Sequence, residues 1–398
     1  MASQEEIRIE RIRKLNILKD AGVDPYPAKS KKDFNISEVI SRFEELSAKE
    51  DLSLVGRVMA LRGQGALVFF NFYDGSGTLQ GLLKKGEIDL PAGRQENTKL
   101  DLFNSTVDTG DFVQVSGNLF VTKRGEKTIQ VKDWKMLSKS LRPLPGEYYG
   151  LKDEEEKLRK RYLDILMNDD VKNIVIKRSK FWSSIRNFLT DRDFLEVETP
   201  VLENTAGGAE ARPFVTHHNA LGMDVFLRIS AGELWQKRLM VAGLPKVFEI
   251  ARIFRNEGMD AEHLQDYTQM EFYQAYSDYN EGMDMIKELY RHIAKETFGT
   301  EKFTIKGSEV DLDKEWIVYD YAGTIKEMTG IDIWSSTFQE MVAKLHELKV
   351  EYDPKGFNKT RAIDNVWKYC RKQIAGPGFI INVPVFMEPL AKKKEDDK

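Results

Sequence analysis

A chain of 398 residues with 41% apolar and 31% charged content has room for two ordinary globular domains, and that balance excludes a largely disordered or membrane-embedded class. Its formal net charge of -4 gives no overall attraction to nucleic acid, and the single cysteine, Cys370, excludes a disulfide framework and a cysteine zinc site, leaving a small apolar residue as its simplest reading. No run reaches the roughly 20 apolar residues of a membrane span, and the N-terminus is charged from residue 5 with no apolar signal core, so a reducing, cytoplasmic location and no membrane partner are expected.

Residues 3–21 carry the spacing of a helix opened by a Ser3-x-x-Glu6 capping box and closed by Gly22, Pro25 and Pro27. Arg8, Arg11, Arg13, Lys14 and Lys19 give it a basic face. From 51 to about 137 the pattern becomes five short β-rich runs, "LSLVGRVMALR", "ALVFFNFY", "TLQGLLKK", "DFVQVSGNLFVT" and "KTIQVKDWKML", which predict a small barrel. In the second run Ala66, Val68, Phe70 and Phe72 form an apolar face that fills a barrel. Leu67, Phe69, Asn71 and Tyr73 form the other face, a mixture suited either to packing against a helix or to stacking bases. Residues 122–144 hold seven Lys/Arg against Glu126 and Asp133. Solvated surface and a nucleic-acid contact both remain open for that stretch.

Paired prolines in "SLRPLPGEYYG" mark a linker and a domain boundary near 145, so the domains are 1–145 and 146–398. A charged helix follows, then a helix over roughly 170–191 with Ile174, Phe181, Ile185 and Phe188 at helical spacing, then a strand "FLEVETPVL" that ends at Pro200. "AGGAEA" at 206–211 is a plain loop or a close backbone approach to a small ligand. The adjacent His217 and His218 point to opposite faces of a strand and make a poor metal pair, so they read as structural. Residues 247–276 predict a hairpin. Helices follow at 281–298, with Met285, Leu289 and Ile293 on one face, and at 336–348, and the chain closes with "GPGFIINVPVF" as a strand and a charged tail.

The hairpin concentrates chemistry. Its first strand ends in Arg255-Asn256-Glu257, and the returning strand brings Glu271 back among aromatics. A guanidinium fork at Arg255 suits phosphate or carboxylate oxygens, Glu257 suits a polar or cationic group, His263 a further phosphate, and Tyr267 a stacked ring. A surface hairpin with Arg–Glu pairs is the alternative that spacing leaves open. Neither a P-loop nor a GxGxxG followed by a helix occurs.

These residues carry a resemblance. "FRNEGMDAEHLQDYTQMEF" resembles the second signature motif of class II aminoacyl-tRNA synthetases, with Arg255, Glu257, His263, Tyr267 and Glu271 in its places, and "FLEVETPVL" resembles the first, a helix and strand that build a dimer interface. Within the class, "GGAEARPFVTHHNALGMDVFLRIS", "ELWQKRLMVAG", "EFYQAYSDY", the N-terminal helix and the barrel are similar to lysyl-tRNA synthetase. The resemblance implies an α+β chain: a five-stranded OB-type barrel that binds the anticodon, then a class II antiparallel sheet flanked by helices. It implies ATP as a substrate, Mg²⁺, L-lysine and tRNA(Lys) as partners, and a homodimer formed through the first motif.

By position, it implies that Arg255 binds the α-phosphate and the lysine carboxylate, Glu257 the adenosine, His263 the outer phosphates, and that Tyr267 stacks on adenine. Gly208 and Glu233 would take the α-amino group, Glu271 and Tyr273 the ε-ammonium, and Arg62, Phe69, Gln80 and Glu126 the anticodon. Against the family, "RISAGELWQKRL" is one residue longer than the usual segment and Glu262 stands where a basic residue is common. A third, glycine-rich motif, with the Mg²⁺ ligands, is expected beyond Lys398, so the metal ligands stay unassigned and the chain reads as a truncated or split lysine–tRNA ligase. The alternatives are a non-catalytic tRNA-binding fragment and an aspartyl or asparaginyl synthetase; the last would want a cation where Glu271 and Tyr273 stand.

Overall fold

The computed structural model describes residues 3–49, 51–63, 66–88, 98–145, 151, 153–260, 263–388 and 391–394. Glu262 and the linker residues 146–150 lie outside them. Two compact units divide the chain, 1–169 and 170–398.

In the first unit α1 (Gln4–Asp20) begins at the capping box: Ser3 Oγ accepts from the Glu6 N–H and the Glu6 carboxylate accepts from the Ser3 N–H. Two donors that the helix leaves unpaired are thereby satisfied. Only part of the basic face of α1 is exposed surface, at Arg8, Arg13 and Lys19. Arg11 is buried and donates to the carbonyls of Thr109, Ser140 and Arg142, and Lys14 pairs with Asp108 at 2.6 Å. A guanidinium has enough donors to close three carbonyls at once, so the helix spends this charge holding the domain together.

Short helices α2 (Ile36–Ser41) and α3 (Phe43–Ser47) lead into strands β1 (Leu52–Arg62), β2 (Leu67–Tyr73) and β3 (Thr78–Lys84), then α4 (Lys99–Thr106), β4 (Phe112–Val121) and β5 (Lys127–Ser138). The strands close into a barrel in the order β1-β2-β3-β5-β4, with β3 and β5 parallel and the other pairs antiparallel. Alternation in β2 sorts as expected: Val68, Phe70 and Phe72 are buried in the barrel core, while Phe69, Asn71 and Tyr73 face out, half-buried. Ala66, just ahead of the strand, is exposed instead. Glycine is required at 117, where a Cβ would lie 1.9 Å from the Gln130 carbonyl beside a break in the β4–β5 register.

The lysines of 122–144 mostly bind the protein itself. Lys139 is fully buried against Asp108 and Asp111 at 2.6 and 2.7 Å, Lys132 pairs with Asp51, and Lys127 and Lys135 donate to the carbonyls of Ile40 and Lys29. Burial raises the Asp111 carboxyl above its usual value despite Lys139, whereas Lys139 and Lys14 hold Asp108 below its own. Lys123 and Arg124, in the β4–β5 turn, and Arg142 stand exposed. Two short helices, α5 (Glu154–Arg159) and α6 (Arg161–Met167), follow.

The second unit holds nearly all of α7 (Asp169–Thr190), then β6 (Leu195–Glu196), β7 (Leu202–Glu203), β8 (Val215–His218), β9 (Met223–Leu227), α8 (Glu233–Val241), β10 (Lys246–Phe254), β11 (Asp266–Gln274) and α9 (Tyr279–Phe298). The expected single strand ending at Pro200 is two short ones. β6 pairs parallel to β10, and β7 pairs with β9 in another sheet, so the chain changes sheet around Pro200. The periodicity of α7 also holds only at its C-terminal half: Ile185 and Phe188 are buried, whereas Ile174 is 64% exposed.

The last stretch comprises β12 (Lys302–Ile305), β13 (Ser308–Asp311), β14 (Ile317–Asp320), α10 (Tyr321–Thr329), α11 (Phe338–Glu347), α12 (Lys359–Gln373) and β15 (Gly378–Ile381), which pairs parallel to β14. Helices α10 to α12 enclose a small core of their own that includes Cys370. Among the described residues no helix is long and apolar enough to cross a membrane.

The antiparallel pair β10–β11 positions the site. Phe248, Ile250, Met270 and Phe272 point to one face and pack with Ile185, Phe188, Leu289 and Ile293 of α7 and α9. The alternate residues, Glu249, Ala251 and Ile253 on β10 with Tyr267, Gln269, Glu271 and Tyr273 on β11, share the opposite face. A polar face on a hairpin whose other face is apolar at its centre, at Phe248, Ile250, Met270 and Phe272, is the local signature of a ligand surface rather than of a core.

Candidate functional site

At the turn end of the hairpin, Arg255, Glu257, Gly258, His263, Leu264 and Tyr267 line a cavity of about 320 Å³. Four residues singled out in the sequence therefore meet in one place. The Arg255 N–H donates to the Gln265 carbonyl at 2.8 Å, its Nε lies 3.3 Å from the Ile229 carbonyl, and its guanidinium carbon lies 5.7 Å from the Tyr267 ring centre. One edge of the fork is thus held by the protein. Glu257 is held from the side by the Arg212 N–H and the Gln265 amide, at 3.3 and 3.2 Å. His263 is exposed and its Nδ1 sits 2.8 Å from both oxygens of Asp260.

Further along the same face, Glu271 and Tyr273 lie opposite Glu249 and Val247. One Glu271 oxygen accepts from the Ala231 N–H at 3.0 Å and from Gln269 Nε2 at 2.8 Å. Burial raises the Glu271 carboxyl above its usual range, and the Glu233 and Glu249 charges add to that, while the Ala231 N–H and Lys237 oppose it. Burial likewise pushes the Tyr273 hydroxyl up, helped by Glu271 and Glu233. These are the marks of a pocket whose negative charge lacks its full complement of cations.

Gly208 belongs to the same pocket. Its φ is +86°, and a Cβ there would lie 2.2 Å from Ser230 Oγ and 3.1 Å from Glu233 Cβ, so only glycine lets this backbone approach Glu233. The segment Ile229–Ala231 touches both halves of the site, since its Ile229 carbonyl meets Arg255 and its Ala231 N–H meets Glu271. Two extended residues span at most about 7 Å. A guanidinium and a carboxylate are therefore brought within reach of the two ends of one small molecule.

Several residues of this site escaped the sequence reading. Arg228 and Glu249, both buried, pair at 2.6 Å; Glu249 also accepts from Thr199 Oγ at 2.6 Å, and Arg228 Nε donates to the Arg252 carbonyl. The pair sits under the turn at Gly232, φ +76°, where a Cβ would lie 2.3 Å from Thr199 Oγ and 2.7 Å from the Glu249 carboxylate. A buried pair so fully hydrogen-bonded fixes geometry more than it adds stability. Its signal was the carboxylate of Glu249 set between Phe248 and Ile250 in the run "VFEIARIF". Gln269 was missed as well: its Oε1 is buried without a partner among the described residues, directly beside Glu271. The period of two that places it beside Tyr267 and Glu271 was visible in the sequence.

On the barrel, Arg62 pairs in register with Phe69 across β1 and β2, Asn71 with Gln80 across β2 and β3, and Gln80 with Thr128 across β3 and β5. The buried Thr128 hydroxyl lies 3.0 Å from Gln80 Oε1 and 3.1 Å from the Glu126 carbonyl. Arg62, Phe69, Gln80 and Glu126 thus occupy one continuous stretch of barrel surface, and Glu126 is tied into the β4–β5 turn by reciprocal bonds with Thr122. Elsewhere, His217 pairs with Asp224 at 2.9 Å and the His218 ring accepts from the Leu221 N–H. Among the described residues no cluster of three or more His, Cys, Asp or Glu is set to hold a metal ion.

Comparison with known proteins places both surfaces in context. Residues 153–398 match the family of class II tRNA synthetases for D, K and N, and residues 52–137 match the OB-fold nucleic acid binding domain. A lysine–tRNA ligase of Thermotoga maritima is 40% identical over 398 residues, covering 99% of this chain and 77% of that protein. The lysine–tRNA ligases of Roseiflexus sp. strain RS-1 and Bacillus subtilis strain 168 are 39% and 37% identical, over 98% and 96% of this chain and 79% and 77% of theirs.

Proposed function

The chain belongs to the class II aminoacyl-tRNA synthetases, among the lysine–tRNA ligases, and we propose that its β10–β11 face joins L-lysine to ATP and passes the lysyl group to tRNA(Lys). The observation that carries this reading is the charge order along one hairpin face, a guanidinium at one end and a partly desolvated carboxylate at the other, bridged by Ile229–Ala231. An amino acid with a cationic side chain has the complementary order.

In the first step a lysine carboxylate oxygen attacks the α-phosphorus, and the bond from that phosphorus to the bridging oxygen breaks in line, releasing pyrophosphate and leaving lysyl-adenylate. Arg255 offsets the charge shared by the attacking carboxylate and the α-phosphate. Glu257 meets the adenosine, His263 the outer phosphates, and Tyr267 stacks on the adenine. Glu233 and the Gly208 carbonyl take the α-amino group; Glu271 and Tyr273 take the ε-ammonium, with the unpartnered Gln269 oxygen beside them. In the second step a hydroxyl of the terminal tRNA ribose attacks the acyl carbon and AMP leaves. ATP and Mg²⁺ serve lysyl-tRNA synthetases in general, and among the described residues no cluster of three or more His, Cys, Asp or Glu is set to hold the ion.

We assign residues 1–145 to anticodon binding and 146–398 to catalysis, and propose a homodimer formed through α7 and the stretch to Pro200. The exposed Ile174, Val175, Ile176 and Leu195 on that segment support the last point. Phe69 offers a stacking ring on the barrel face, and base stacking on an aromatic is worth roughly 1–3 kcal/mol. Phe69→Ala is accordingly expected to weaken tRNA(Lys) binding about tenfold in filter-binding assays while leaving lysine-dependent pyrophosphate exchange unchanged. Equal tRNA binding by the variant would remove the barrel face from the anticodon contact.

Amino-acid-dependent ATP–pyrophosphate exchange tests the whole reading. Exchange with lysine, and none with aspartate or asparagine, is the expected result. Exchange with aspartate or asparagine would reassign the pocket, and none with any of the three would leave tRNA binding as the chain's activity.

A further inference from the structure

The lysine pocket already contains a lysine. Lys237 lies one turn along α8 from Glu233, and its Nζ is 2.6 Å from Glu233 Oε1 and 5.9 Å from the centre of the Tyr273 ring. An i,i+4 Glu–Lys pair on a helix is common, and such a pair by itself says little. Here, however, the partner carboxylate and the aromatic ring are both pocket groups, and Glu271 also feels the Lys237 charge, which favours its ionised form. All three groups assigned to ammonium binding through their side chains therefore see this one internal ammonium.

We propose that Lys237 is a resident counter-ion of the amino-acid pocket, an internal mimic of the substrate's ammonium that must leave Glu233 when L-lysine binds. This rests on the lysine reading given above. Two ammonium groups entering beside a fixed third would meet like charge at short range, which in a half-buried site is costly. The Lys237 side chain is 54% exposed on a long flexible stem and has water to retreat into. The device gives Glu233 a cation in the free protein and sets a threshold that a ligand overcomes with its own ammonium. Every amino acid brings an α-ammonium to Glu233, so this contact tunes affinity, while discrimination among side chains rests with Glu271 and Tyr273.

The test is calorimetric titration of L-lysine into the parent chain and into Lys237→Met and Lys237→Arg, with ATP titrated as a control. Removing a competing ion pair of this kind is expected to tighten lysine binding about three- to tenfold in Lys237→Met, with Lys237→Arg close to the parent and ATP affinity the same in all three. Lysine affinity that is unchanged or weaker in Lys237→Met overturns the proposal; a weaker value would make Lys237 a substrate contact instead. Failure of the parent chain to bind lysine overturns the functional reading, and this inference with it. A second readout needs no variant: acetic anhydride labelling of the parent, read by mass spectrometry, should increase at Lys237 when L-lysine is added. Labelling there that is indifferent to L-lysine would mark an ordinary helix pair.

Discussion

Arg255→Ala is expected to lower lysine-dependent ATP–pyrophosphate exchange about a thousandfold, the scale on which removing one preorganised donor to developing charge acts. The side chain is suited to that task because Nε is tied to the Ile229 carbonyl and the guanidinium carbon stands 5.7 Å from the Tyr267 ring, which leaves the rest of a rigid fork to face the cavity. Arg255→Lys retains the charge but not the planar fork, and should recover no more than about tenfold of the loss. Circular dichroism and thermal unfolding should be near those of the parent, because among the described residues Arg255 makes no ion pair whose rupture would bury a charge. Exchange within tenfold of the parent would show that the anion is held elsewhere.

Glu271→Gln should raise the lysine KM about a hundredfold, since losing one partner of a desolvated charge pair costs roughly 2–5 kcal/mol, and it should do so without lowering stability. The second half follows from the direction of the carboxyl's shift. Burial raises its pKa, so the folded chain binds the proton more tightly than the unfolded one. Stability therefore falls as pH rises from the ordinary carboxylate value through the raised one, and above that window the ionised group is a cost to folding. Glutamine removes the cost while its amide oxygen can still accept from the Ala231 N–H. Urea unfolding at neutral pH should give the variant a free energy no smaller than the parent's. In the parent, lysine affinity should begin to fall on acidification at a pH above the range of a free carboxylate. A variant that loses stability and affinity together would make Glu271 a structural residue.

Much of this chain was legible locally. The five barrel strands and the hairpin show as alternation of period two, the first helix as a capping box, and the ordered residues from Arg255 to Glu271 as a family signature. Each is written in neighbouring residues, because backbone geometry repeats every two or 3.6 positions and leaves its period in the sequence. The same local reasoning misjudged the segment around Pro200, where one apolar run serves two different sheets, and the N-terminal half of α7, whose apolar residues find no core within the chain's described contacts.

What only the tertiary structure decided is the state of the charges. Arg11 and Lys139 look like free basic surface in the sequence, yet one closes carbonyls up to 131 positions away and the other is buried between Asp108 and Asp111. Arg228 and Glu249, Gln269 beside Glu271, and Lys237 against Glu233 and Tyr273 acquire their meaning the same way. A charge is defined by its partners and its access to water, and partners drawn from distant segments leave no period behind. Motif thus identifies the family and singles out the hairpin; which charges are paired, and with what, is settled by packing.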